Sequence, residues 1–91
     1  MHLERIDLST VRFTPDLLRY LPRHLARKYR AVPIFVTSDC LGIAVADPSD
    51  LDVCDALTHL LQRELQFQSA DEHQLEAFIQ NLYDSGEGGH R

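Results

Sequence analysis

Two nearly continuous apolar runs, Ala31–Thr37 and Leu41–Ala46, are joined through Thr37-Ser38-Asp39 and followed at once by Asp47-Pro48-Ser49-Asp50. No other feature of the chain restricts its fold as much. Apolar, β-branched runs without polar alternation are those of strands covered on both faces. A link this short and polar makes them an antiparallel hairpin. Pro33 has no amide to give a ladder, which suits a strand start or a sheet edge. The Asp-Pro-Ser-Asp segment then starts a helix: Asp47 can cap free amides, Pro48 suits the first turn, and Asp50 and Asp52 complement the positive end of the helix dipole.

The remaining elements arrange themselves around that hairpin. Upstream, Thr14-Pro15-Asp16 reads as a helix start, with Leu17, Leu18 and Leu21 on the apolar side. Pro22 ends or re-aims that short helix, and a second runs from about Pro22 to Arg30. Downstream, Val53, Ala56, Leu57, Leu60 and Leu61 form one apolar helical face. Glu64–Ser69 alternates as a strand with one wet face. Ser69-Ala70-Asp71-Glu72 has the form of a capping box before a last helix that places Leu75, Phe78, Ile79, Leu82 and Tyr83 on its apolar side. The expected order is ααββαβα. This is an α+β fold with a small three-stranded sheet, hairpin plus strand–helix–strand unit, packed by amphipathic helices on one face. Residues 14–84 make the domain, 1–13 an extended or irregular lead-in, and 85–91 a Gly-rich flexible tail or linker.

A chain of 91 residues with 44% hydrophobic residues supports one domain with a small core. No apolar run is long enough to span a bilayer and no signal peptide opens the chain, so a soluble cytoplasmic protein is expected. Cys40 and Cys54 fit neither a redox nor a zinc motif and read as half-buried thiols. The net charge of -5 is unevenly spread. Residues 1–30 carry seven basic residues against three acids, and residues 31–91 two against eleven. Overall acidity argues against general nucleic-acid binding, which rests on many phosphate contacts.

Arg19, Arg23 and Arg27 recur at i, i+4 and i+8, with Lys28 and Arg30 close by. On an unbroken helix they would line one face, and like charges at that spacing repel, so an anionic partner relieves a cost. That partner is an acidic protein surface, a nucleotide phosphate, or acids of this chain such as Asp50 and Asp52. The four arginines 19, 23, 27 and 30 are the candidate binding residues. His24, His59 and His73 lack the convergence a metal needs. Asp47, Asp50, Asp52 and Asp55 are accounted for by capping and dipole, without the glycine and glutamate of an EF-hand. No nucleophile–base motif and no phosphate loop occur, so neither catalytic residues nor a resident cofactor are expected.

Leu21-Pro22, Leu25-Ala26, Lys28-Tyr29, Val32-Pro33, Leu41, Ala44-Val45-Ala46-Asp47-Pro48 and Asp50, with Tyr83 near the end, together resemble the N-terminal domain of type II secretion and type IV pilus assembly ATPases. This is the GspE/PilB-type, MshEN-like kind. The resemblance spans about residues 14–84. It implies a non-catalytic adaptor that precedes an ATPase motor and docks the cytoplasmic part of an inner-membrane platform protein, so that the chain is recruited peripherally to that membrane. ATP would then belong only to the motor. Longer versions in related pilus ATPases bind cyclic di-GMP through repeated RLGxxLxxxG segments, which Met1–Thr14 does not contain. A cyclic di-GMP sensor is therefore the alternative reading. A third is an accessory domain of another envelope enzyme such as a glycosyltransferase.

Overall fold

The computed structural model describes residues 5–84. The hairpin is present: β2 (Ala31–Val36) runs antiparallel to β3 (Leu41–Val45). Its link is tightened by Thr37, whose amide donates to the Cys40 carbonyl at 2.9 Å while its hydroxyl accepts from the amides of Asp39 and Cys40. Ile34 interrupts the register between Pro33 and Phe35, so the proline sits beside a bulge on an edge strand. β3 is buried throughout, as its unbroken apolar run requires.

From β3 the chain passes through helix α3 (Leu51–Leu61) to β4 (Leu65–Ala70), which lies parallel to β3. The sheet has four strands among the described residues, not three. The additional one is β1 (Arg5–Ile6), parallel to β4, and the strand order is β1-β4-β3-β2. Two residues are too few to show an alternation, so the sequence pattern could not reveal this strand. It is nonetheless well anchored. Leu8, in the 3-10 turn that follows it, is fully buried, and its amide donates to the Gln74 side chain at 2.9 Å. The same amide side chain donates to Asp7 at 3.1 Å, so one glutamine clips the lead-in to α4 (Glu72–Ile79).

Two helix starts also differ from expectation. Asp50, not Asp47, caps α3, accepting from the amides of Asp52 and Val53. Asp47 instead closes a turn on Ser49, whose amide and hydroxyl both donate to it. At α4 the cap is Asp71, which accepts from the Gln74 amide, because Ser69 is still within β4 and buried. The last helix changes to a π turn over Gln80–Asp84.

The core gathers Leu17, Leu21, Leu25, Val32, Ile43, Leu57, Leu75 and Ile79 into one cluster. Helix α4 lies against β2 and β3 and meets α2 (Arg23–Tyr29), while α1 (Pro15–Leu18) and α2 lie on β2. Helix α3 buries Cys54 and Leu57 and packs Val53 and Leu61 partly against the core, but Leu60 is 50% exposed, so its apolar face is narrower than its periodicity implies. The sequence expectation of a tail over 85–91 lies outside the described residues.

Candidate functional site

The arginine-bearing segment is two helices with a re-aimed turn between them. Thr14 caps α1 by accepting from the Leu17 amide at 3.1 Å, with Pro15 in the first turn. The helix ends after one turn, and Pro22 (φ -61, ψ 151) redirects the chain into α2 without a side-chain cap. Arg19 is therefore the C-cap of α1, where it pairs with Asp16 at 3.6 Å. Both partners are almost wholly in solvent, so the pair adds little to stability.

Arg23 and Arg27 stand one turn apart on the exposed side of α2, and each is engaged in an interaction of its own. Arg30 ends α2 in the left-handed region, at φ 52. Its guanidinium bridges two carboxylates one turn apart on α4, Glu72 at 2.6 Å and Glu76 at 2.7 Å. The acids neutralising Arg30 thus come from α4, whereas Asp50 is taken up by capping α3.

Of the four arginines, the structure brings Arg27 and Arg30 together. They line an open cleft of about 270 Å³ whose other walls are Glu76, Ile79 and Gln80. Arg19 borders a different depression, with Asp16 and Tyr20. Arg30 also separates the first cleft from a second, of about 300 Å³, formed at the end of β3 by Tyr29, Val45, Val53 and the Asp47–Asp50 turn. The sequence pattern does not disclose Glu76 and Gln80 as neighbours of the arginines. Their only signal is that Glu72 and Glu76 are spaced to present two carboxylates on one helix face. It also misses Arg63, whose guanidinium lies 5.0 Å from the ring centre of the half-exposed Tyr20.

The other reactive side chains are occupied structurally. Hydrogen bonds from Ser9 and Ser49 hold the carboxyls of Asp7 and Asp47, respectively, below the usual carboxylate range. Burial pushes the Cys54 thiol up, with the nearby charges of Asp50, Asp55 and Asp47 acting in the same direction. Its Sγ donates to the Pro48 carbonyl at 3.4 Å. A thiol held protonated in this way is a packing group and a poor nucleophile. Among the described residues no group of His, Cys, Asp and Glu is placed to hold a metal ion. No described helix is long and apolar enough to cross a membrane.

The MshEN domain family matches residues 1–89, almost the whole chain. Among curated proteins, the type IV pilus assembly ATPase PilB of Myxococcus xanthus (strain DK1622) is 27% identical over 78 residues. That alignment covers 86% of this chain but 14% of PilB. Among solved structures, MshE with cdg is similar with a TM-score of 0.79 and 36% identity, over 89% of this chain and 59% of that one. The N-terminal domain of XpsE follows with a TM-score of 0.68 and 17% identity, over 86% of this chain and 55% of that one. At that identity the XpsE likeness concerns the fold alone. This chain spans less than two thirds of each of these relatives.

Proposed function

The chain belongs to the MshEN domain family, a small regulatory N-terminal domain without the ATPase motor, and from that premise we propose that it works by docking. In this reading it is the interaction module of a type II secretion or type IV pilus assembly ATPase. It joins the motor to the cytoplasmic domain of an inner-membrane platform protein, so that it acts in the cytoplasm at the membrane surface. The observation that carries the reading is the basic exposed side of α2, where Arg23 and Arg27 stand one turn apart, each engaged in an interaction of its own, next to Arg30, which is bound to Glu72 and Glu76 of α4. Such a surface confers partner choice and association rate on an acidic surface more than raw affinity. The test is calorimetric titration with the cytoplasmic domain of the cognate platform protein. Arg23→Glu with Arg27→Glu should weaken binding by about tenfold or more and flatten its salt dependence. Unchanged binding would show that α2 is not the docking surface.

A second reading is favoured by one observation, the 36% identity to MshE, whose structure was solved with cdg. Here the chain senses cyclic di-GMP, with Arg27 and Arg30 at the cleft as candidate phosphate ligands. The lack of RLGxxLxxxG segments weighs against it. Titration with cyclic di-GMP separates the two readings: heat at micromolar ligand supports sensing, and its absence leaves docking.

A further inference from the structure

Arg63 stands in the turn between α3 and β4, and its hydrogen-bond donors are unspent. Its Nε is buried without a partner, although a donor taken out of water normally finds an acceptor. Among the described residues its side chain takes part in no hydrogen bond and no ion pair. It is held instead by the Tyr20 ring, whose centre lies 5.0 Å from the guanidinium carbon. The two Nη groups are not buried, so the guanidinium turns its outer end to solvent. Stacking fixes the plane of that fork, so little freedom remains to be lost when it is used.

Exposed apolar side chains gather at the same end of the sheet. Val36, 37% exposed, closes β2 in register with Leu41, which in turn is in register with Leu65, two residues after Arg63. Leu60, half exposed, lies in the last turn of α3 just ahead of Arg63. Tyr20 is itself 37% exposed. Aromatic and arginine side chains beside exposed aliphatic ones have the composition of an interaction surface. Charge narrows the partner further. Arg19, next to Tyr20, is paired with Asp16, and the exposed Glu64 follows Arg63 without bridging to it. Two guanidinium groups and two carboxylates balance, so a multiply charged anion gains little here. A single carboxylate matches the one fork left open.

We propose that this end of the sheet docks a carboxylate-bearing, otherwise apolar segment of a protein partner. An aspartate or glutamate of that segment is gripped end-on by the Nη pair of Arg63, whose plane Tyr20 sets. The apolar side chains beside the carboxylate cover Val36 and Leu60. Strand β2 begins next to Arg30 and ends at Val36, so this surface lies at the opposite end of the strand from the cleft of Arg27 and Arg30. It uses none of the arginines of α2 and does not depend on the docking reading given to them.

The experiment is an NMR titration of the isotope-labelled 91-residue chain, read at the side-chain N–H signals of Arg63 and the backbone amides of Tyr20, Val36 and Leu60. The probes are acetyl-Leu-Glu-Leu-amide, its uncharged counterpart acetyl-Leu-Gln-Leu-amide, and inorganic phosphate. The glutamate peptide should shift these signals together and saturably, with a Kd on the order of 1 mM for so small a probe. The glutamine peptide should bind about tenfold or more weakly, because it offers the guanidinium no charge. Phosphate should leave Val36 and Leu60 unmoved. Arg63→Lys keeps the charge without the planar fork and should weaken the glutamate peptide by about tenfold while the other amide signals stay in place. The comparison of the two peptides on the wild type holds whether or not that variant folds. The proposal is overturned if the glutamate peptide gives no saturable shift or the glutamine peptide binds equally well. It is equally overturned if phosphate reproduces the whole response, or if a folded Arg63→Lys binds like the wild type.

Discussion

The Tyr83 hydroxyl donates to the Leu21 carbonyl at 2.8 Å, in a buried hydrogen bond spanning 62 positions of sequence. It ties the π turn at the end of the described chain to the point where Pro22 breaks the two basic helices apart. Leu21 is fully buried and Tyr83 nearly so, which leaves no water to replace the bond. Tyr83→Phe keeps the ring and strands the carbonyl. We expect a loss of about 1–3 kcal/mol, the cost of a buried acceptor left unsatisfied, measured by urea unfolding.

The same bond makes stability depend on alkaline pH. Burial raises the Tyr83 phenol above its ordinary value of 10.0. The native state therefore holds this proton at pH values where the unfolded chain releases it. Its contribution is complete below pH 10.0 and is lost as pH rises beyond that toward the raised native value. Unfolding free energies on either side of pH 10 should fall more steeply for the wild type than for Tyr83→Phe. Parallel slopes would show that the phenol does not titrate differently in the two states.

The parts of this fold that were legible are those with a long enough period. The apolar runs of β2 and β3 and the alternation of β4 identify themselves, because each carries five or six residues of one pattern. The cap of α3 did not, since Asp47-Pro48-Ser49-Asp50 holds two carboxylates able to cap and only the turn geometry commits Asp47 to Ser49. For the site, the i, i+4 spacing of Arg23 and Arg27 was readable from sequence. The capture of Arg30 by Glu72 was not, since it closes a loop of 42 positions. Arg30 could not be told apart from the other three arginines without the packing of α4 on α2.

Gly42 has a packing reason that its surroundings make testable. It is the second residue of β3, opposite Phe35 of β2, and a Cβ added there would overlap the Phe35 ring. Gly42→Ala should cost about 1–3 kcal/mol through forced displacement of that ring, despite the better strand propensity of alanine. Phe35→Leu is destabilising alone but opens the space. In the double variant the two losses should therefore add to less than their sum, by about 0.5 kcal/mol or more in a thermodynamic cycle. Additive losses would place the strain elsewhere.

Two helix ends offer a matched comparison of backbone strain. Arg30 at the end of α2 and Gln62 at the end of α3 are the described non-glycine residues with positive φ, at 52° and 54°. Each donates its amide back to the helix, Arg30 to Ala26 and Gln62 to Thr58, the arrangement in which glycine is the favoured residue. Gln62 is exposed and no side-chain hydrogen bond or ion pair is found for it among the described residues. Replacing it by glycine removes the Cβ penalty and should stabilise the protein by about 1 kcal/mol. Arg30→Gly relieves the same strain but also deletes the bridge to Glu72 and Glu76. Because that bridge is half exposed, its worth is discounted by solvent, and a net change within about 1 kcal/mol of zero is expected. Raising the salt concentration should then separate the two variants. Gln62→Gly should keep its gain, whereas Arg30→Gly should improve relative to the wild type as the bridge it lacks is screened. Thermal unfolding at low and high ionic strength reads both, and an Arg30→Gly loss of several kcal/mol insensitive to salt would mean that the arginine acts through packing.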